Sequence, residues 1–359
     1  MTAKYWIYGF NPFDVDGNGD LKELDFSQFF SDSKGEFLIE LTATHALVAT
    51  GSSLLAFSCI NETSHTVDAG SRIVQLSANN WYCLILLENG HLLKYDIYSQ
   101  QTNKLDFLTV ENSPETESTE TITHIACGEK VSVAVTSPGK FVFNIPSKTF
   151  TFPKHVRIRK IAVGLEHCLL LTGNGDVYSW GCGLRGQLGN GEITPHQERP
   201  QLVEALAGVK IVDIAAGGWH SAVVSSFGDL YCWGWNSKGQ LGLVDEKQSK
   251  GAVFALPQVI DFAGKHDEEL DEISIEMVHC GYGHTVVVSS KGELYFSGND
   301  LRKKLDYAHV ERNPKLCGFK QFECVPKGEG VKLWKSGPNS LVFISEVGEM
   351  SGQSTSCRQ

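Results

Sequence analysis

The chain lacks the marks of several large protein classes. Its ten cysteines stand singly with no Cys-x-x-Cys pair, and most sit in apolar runs (Cys83, Cys168, Cys232, Cys280), so they read as reduced core residues of an intracellular protein rather than as a disulfide frame or a metal site. No apolar run approaches the roughly 18 residues that span a bilayer. Met1 to Trp6 shows none of the charged, apolar and cleavage regions of a secretory leader. The expected location is therefore nuclear and/or cytoplasmic, not secreted, with no membrane partner. Positive charge is scarce too: 31 Lys and Arg stand against 42 Asp and Glu, a net charge of −11 with no local basic stripe. An acidic chain repels phosphate backbones, which disfavours direct nucleic-acid binding. Low-complexity blocks longer than a loop and helical periodicity are absent as well.

What is present is repetition. Ile161-Ala162-Val163-Gly164-Leu165-Glu166-His167 matches Ile214-Ala215-Ala216-Gly217-Gly218-Trp219-His220. Each continues through an apolar run and a turn into Gly-Asp-apolar-Tyr-x-Trp-Gly (Gly175 to Gly181, Gly228 to Gly234), then Gly-Gln-Leu-Gly (Gly186 to Gly189, Gly239 to Gly242). A third copy, from Val278 through His284 to Gly298, has lost the Gly-Gln-Leu-Gly. Three more, around His45, Trp81 and Gly128, keep only the apolar skeleton and a glycine or its equivalent. A seventh begins at Trp334 to Ser340 and stops near Met350, and its missing Tyr-x-Trp-Gly strand is matched by Tyr5-Trp6-Ile7-Tyr8-Gly9-Phe10-Asn11 at the other end.

Short apolar runs between Gly, Asn and Ser turns predict antiparallel strands, and runs apolar on successive residues predict strands covered on both faces. The expectation is an all-β, seven-bladed β-propeller over residues 4–350, with strand 4–11 completing the last blade and pairing of N- and C-terminal strands closing the ring. Residues 244–276 are expected to be an acidic insertion within that ring, and 351–359 a flexible tail.

The Gly-x-x-His start, the Gly-Asp-x-Tyr-x-Trp-Gly strand and the Gly-Gln-Leu-Gly turn resemble the regulator-of-chromosome-condensation repeat, strongly over 161–242 and weakly over 37–145. Trp followed by Gly separates it from the WD repeat. Within that family, Ala215 to Ser221 together with Gly234 to Leu241 is similar to a branch whose member partners a JmjC-domain dioxygenase. The resemblance implies a non-enzymatic protein-interaction scaffold tied to chromatin, histone methylation and chromosome segregation, with histones reached through the partner and the chain monomeric by itself. A second implication is guanine-nucleotide exchange on a Ran-type small GTPase, although the basic N-terminal arm of the best-known member has no counterpart here.

Candidate sites divide by chemistry. His45, His167, His220 and His284 recur once per blade, too far apart to converge on one metal ion, and are expected to brace turns. Tyr178, Trp180, Tyr231, Trp233 and Tyr295 read as packing between blades. Asp14, Asp16, Asn18 and Asp20, with Gly19 at position 6, follow calcium-loop spacing, but Asp25 replaces the bidentate Glu at position 12; a calcium-binding propeller is the third reading, against that of a solvated turn. The acidic run Lys265 to Glu272 reads as a solvated loop or a dock for a basic partner, and Glu111 to Glu120 as a disordered loop. The rim turns carrying Trp235, Asn236, Lys238 and Arg185, with Trp219 beside them, have hot-spot composition and are the expected partner site; burial of Trp235 between blades is the alternative. No nucleophile–base–orienter set and no phosphate-cradling loop can be assembled, so no catalytic residue, cofactor or enzymatic activity is expected.

Overall fold

A computed structural model describes residues 4–9, 11, 22–26, 29–30, 37–105, 121–137, 141–145, 148–152, 156–243, 252–262, 273–299, 319–321, 331–338 and 340–345. These residues form seven four-stranded antiparallel sheets, an all-β propeller. Sheets I to VI are consecutive, over 38–68, 73–105, 122–151, 158–202, 211–259 and 275–321. Sheet VII joins the two ends of the chain: Val331–Ser336, Ser340–Ser345, Lys4–Gly9 and Lys22–Leu24 lie side by side in that order. Lys4 to Gly9 pairs with Ser345 to Ser340 residue for residue.

Sheet IV shows why the repeat folds this way. Ile158–Val163 is the inner strand, followed outward by His167–Thr172, Val177–Gly181 and Gln197–Leu202. The second strand is buried at all six positions because sheets III and V cover both its faces. The glycine that ends the third strand takes φ of 106° at Gly181, 103° at Gly234, 113° at Gly298 and 94° at Gly9, a region that L side chains avoid. The same conformation at Gly9 places the N-terminal strand in the register of a third strand, with the C-terminal strand Ser340–Ser345 as its second.

Apolar clusters fill every junction between neighbours. Leu169, Val177, Ile214, Val223 and Trp233 join sheets IV and V. Val48, Leu55, Ile39, Tyr5, Ile7 and Val342 join I and VII, and Val286, Val288, Trp6, Leu341 and Phe343 join VI and VII. Comparable clusters lie between I and II, II and III, III and IV, and V and VI. The inner strands of all seven sheets line one central cavity of about 490 Å³.

Three expectations meet the structure here. The weak copies at 37–145 are four-stranded sheets like the others. Within the stretch expected as an insertion, Val253–Val259 is the fourth strand of sheet V, so the repeat resumes there instead of staying interrupted. Asp14 to Asp20, Glu111 to Glu120, Lys265 to Glu272 and 351–359 lie outside the described residues; Asp25 is described and exposed.

Candidate protein-docking face

The Gly-x-x-His turn joins the first strand of a sheet to its second. The glycines stand at the narrowest part of the ring, where a Cβ on Gly128, Gly164, Gly217 or Gly281 would collide with the carbonyl oxygen of Gly164, Gly217, Gly281 or Gly337 in turn. The histidines brace neighbouring sheets: Nε2 of His167, His220 and His284 lies 2.9, 3.0 and 2.8 Å from the hydroxyls of Ser221, Thr285 and Ser336. Ser221 and Thr285 donate to the carbonyls of Gln187 and Gln240 at 2.8 and 2.7 Å, so His167 and His220 must donate through Nε2. Their Nδ1 atoms then carry buried lone pairs without a partner. Burial pushes these imidazoles down to about 3 for His167, 4 for His220 and 3 for His284, so all are neutral at physiological pH. The expectation that they brace turns is refined: His167 and His220 bond the second strand of the next sheet and His284 the end of the first strand of sheet VII, while His45 meets the Thr44 hydroxyl of its own turn at 2.9 Å. Among the described residues no group of three or more His, Cys, Asp or Glu is placed to hold a metal ion.

The Gly-Gln-Leu-Gly turn has the same stitching role. Gln187 and Gln240 are buried, and their Oε1 atoms accept from the backbone N–H of Arg185 and Lys238, both at 2.8 Å. Trp233 of sheet V donates its indole N–H to the Gln187 carbonyl of sheet IV at 2.9 Å. Trp180 and Trp233 are thus core residues, as expected. Asn236 is 1% exposed and accepts from the Leu241 backbone N–H at 3.0 Å. It shapes its loop and offers nothing to a partner, which corrects its place among the expected contact residues.

Three of the remaining rim residues, Arg185, Trp219 and Trp235, come together. Turns between strands one and two, and loops between strands three and four, emerge on the same face. There the Arg185 guanidinium lies over the Trp235 ring at 4.0 Å and 5.3 Å from the Trp219 ring. The two indoles meet edge-on at 5.4 Å and 72°. Trp219 donates its indole N–H to Glu166 at 3.3 Å, and Lys130 pairs with the same carboxylate. Burial by itself would raise the Glu166 carboxyl, but the bonds from Lys130 and Trp219 outweigh it and hold the group below its ordinary value. Arg185, Trp219, Trp235 and Lys238 are all half-buried, and burial lowers the Lys238 ammonium. A cation from sheet IV preorganised against two indoles of sheet V, with its apolar walls still partly in water, suits a protein contact.

Toward the centre of this face, the Tyr282 hydroxyl of sheet VI donates to Glu129 of sheet III at 3.2 Å and accepts from Asn80 of sheet II at 3.2 Å. Asn80 also donates to Glu129. The three residues span the mouth of the cavity. Inside it, Lys335 pairs with Glu40, and Lys160 bonds Asp213 at 2.6 Å; Asp213 in turn accepts the Val278 backbone N–H at 3.0 Å. These charges tie inner strands to one another and form no nucleophile–base pair.

Sequence reasoning missed Lys130, Glu166, Glu129, Asn80, Tyr282 and Trp81 as features of this face. The signal was available. All occupy the two variable positions of the Gly-x-x-His turn, where the repeat imposes no residue type and the side chains project from the ring.

Residues 174–224 and 228–288 match the family described as "Regulator of chromosome condensation (RCC1) repeat", and a second description of that repeat matches 158–187 and 211–240. Among curated proteins, the chain is similar to "RCC1 domain-containing protein 1" of Mus musculus, 38% identical over 217 residues, covering 53% of this chain and 56% of that one. The Homo sapiens protein of the same name is 38% identical over 222 residues, covering 54% and 58%. The matched stretch thus spans little more than half the length of either relative. Among solved structures, Prp20p from Saccharomyces cerevisiae superposes with a TM-score of 0.69 at 16% identity, covering 97% of this chain and 93% of that one. Human WBSCR16 gives 0.68 at 17% identity, covering 96% and 98%. At these identities the structures speak to the fold alone.

Proposed function

The chain belongs to the regulator of chromosome condensation (RCC1) repeat family, and from that premise we propose that it is a non-enzymatic scaffold whose Gly-x-x-His face docks a protein partner. The observation that carries this reading is the Arg185–Trp235–Trp219–Glu166 arrangement, a cation from sheet IV held against two half-buried indoles of sheet V. Seven blades closed through the Lys4–Gly9 strand belong to the same reading, supported by seven four-stranded sheets and apolar clusters at each junction. The finer proposal is a JmjC-domain dioxygenase as partner, with a role in chromatin regulation and nuclear or cytoplasmic residence. It is supported by the resemblance of 215–241 to the branch that has such a partner.

Affinity purification of the tagged full chain from its own cells, beside Arg185→Ala/Trp235→Ala and Lys238→Ala forms, tests both levels. Recovery of a JmjC dioxygenase that is lost from the folded double variant supports partner and face together. The solved Prp20p structure carries binding to Gsp1p and histones in its description. Recovery instead of a Ran-type GTPase, preferentially in its nucleotide-free form, would replace the scaffold reading with nucleotide exchange.

A further inference from the structure

The docking face has a second aromatic centre, on sheet II. Trp81 projects from the first turn of that sheet, and Tyr98 from the loop after its third strand. Their rings are 5.8 Å apart at 52°, an open wedge, and the His45 ring of sheet I meets Tyr98 edge-on at 6.1 Å. Both aromatics are 58% exposed, unlike Trp219 and Trp235, which are half-buried and already hold Arg185. Among the described residues no cation lies over Trp81 or Tyr98. On the same sheet, Lys94 lies over the Tyr82 ring at 4.4 Å.

Two carboxylates flank the wedge. Asp96 accepts the backbone N–H groups of Tyr98 and Ser99 at 3.2 and 2.9 Å, which fixes it at the base of the Tyr98 loop. The Ser99 bond is the main reason its carboxyl lies below the ordinary value, so it is ionised at physiological pH. On the other side, Asn80, next to Trp81 in the chain, accepts the Ala43 backbone N–H at 3.0 Å through its amide oxygen and donates both Nδ2–H and its backbone N–H to Glu129, which ties that carboxylate to the residue beside the indole. Aromatic faces that present their negative quadrupole to solvent, with fixed carboxylates beside them, attract a cationic side chain. The Arg185 site of sheets IV and V shows what such a wedge looks like when filled from within the chain.

We infer that the Trp81–Tyr98 wedge, flanked by Asp96 and Glu129, is a receptor site for an arginine or lysine side chain in an extended, basic segment of the docked partner. This deepens the scaffold reading and rests on it for the identity of the face. The net charge of −11 favours the same class of partner by attracting it from a distance.

The test uses the folded full-length chain and a fluorescein-labelled Gly/Ser peptide carrying two arginines, with the same peptide carrying citrulline as the neutral isostere. Anisotropy should show saturable binding of the arginine peptide that the citrulline peptide lacks. Trp81→Ala/Tyr98→Ala should weaken it about 5- to 30-fold, since a cation–aromatic site contributes on the order of one to two kcal/mol. Asp96→Asn should weaken it less, and Arg185→Ala/Trp235→Ala should leave it unchanged. Equal binding of the two peptides, no binding at millimolar peptide, or an unaffected Trp81→Ala/Tyr98→Ala form with a wild-type melting temperature would each overturn the inference. Partner capture that still depends on Arg185 and Trp235 would in that case leave the scaffold reading standing. Arginine-selective binding beside capture indifferent to Arg185 and Trp235 would instead uphold the wedge and overturn the reading of the rim.

Discussion

Sheets IV to VI and sheets I to III have the same four-stranded shape, yet they are fastened to their neighbours by different chemistry. In the first group the repeat histidines reach across to Ser221, Thr285 and Ser336, and Gln187 offers its carbonyl to both Ser221 and Trp233. In the second group the corresponding junction is made by amides and a hydroxyl acting on backbone. Gln75 exchanges two bonds with Ile125 at 2.9 and 3.1 Å, Asn79 donates to the Gly128 carbonyl at 2.8 Å, and Ser77 accepts from Cys127 at 2.9 Å. A ring needs its inner strands tied together because adjacent sheets share no ladder of backbone bonds there. It does not need one particular residue to do it, and so the motif can fade while the architecture persists.

The comparison can be broken at its core first. Trp233 and Tyr95 occupy equivalent third-strand positions in sheets V and II, both nearly inaccessible, and Tyr95 bonds His65 at 3.2 Å as Trp233 bonds Gln187. Truncation of either to Ala should cost about 3–5 kcal/mol by denaturant unfolding. Equal losses would show that the degenerate half bears as much of the fold as the regular half; a loss under about 1 kcal/mol for Tyr95→Ala would mean that it does not.

Next come the glycines at the narrow end. Gly164→Ala meets the Gly217 carbonyl, a backbone atom that cannot swing aside, and should cost roughly 1–3 kcal/mol. Gly51→Ala, in sheet I, meets open space and pays only for its positive φ of 57°, about 1 kcal/mol. A reversed order in melting temperature would contradict the close approach of the inner strands.

Acid sharpens the contrast in a different way. Above pH 6.5, the usual imidazole value, His167, His220 and His284 are neutral whether the chain is folded or not, and contribute no pH dependence. Below it the unfolded chain takes up protons that the buried rings refuse until about pH 4 for His220 and 3 for the other two, so stability falls with falling pH. The slope is about 1.4 kcal/mol per pH unit for each histidine. Replacing His220 with Gln should flatten the decline between pH 6 and pH 4.5 by about one histidine's share, read by urea unfolding across that range. An unchanged slope would place the acid sensitivity elsewhere. The smallest effect belongs to Phe227, 84% exposed in a turn on the opposite face. Phe227→Ser should shift stability by no more than about 0.5 kcal/mol and leave partner capture intact.

Much of this was legible because the repeat carries its own register. Gly-Asp-x-Tyr-x-Trp-Gly marked the third strand of sheets IV and V, and Tyr-Trp-Ile-Tyr-Gly at 5–9 marked the same strand of sheet VII from the far end of the chain. Trp235 and Arg185 were legible as neighbours because their turns recur one repeat apart. Asn236 misled, since a polar residue in a rim loop reads as exposed until the Leu241 N–H is seen to claim it. The fourth strand Val253–Val259 was hidden because its sequence, Val-Phe-Ala-Leu-Pro-Gln-Val, has neither strict alternation nor a motif, and a proline argues against an inner strand while an outermost one tolerates it. Tyr282 could not be linked to Glu129 and Asn80 from sequence at all, because sheet VI neighbours neither sheet III nor sheet II.

By itself the sequence determined the all-β class, the repeat and the split between the two ends, because each depends on local pattern: strand alternation, turn glycines and residue spacing. Only the tertiary structure decided which variable turn residues meet, that Asn236 turns inward and that His167, His220 and His284 bond the next sheet instead of their own turn. Those outcomes depend on how far apart neighbouring sheets stand and on which polar atoms are left without water, and both are fixed only when the sheets pack.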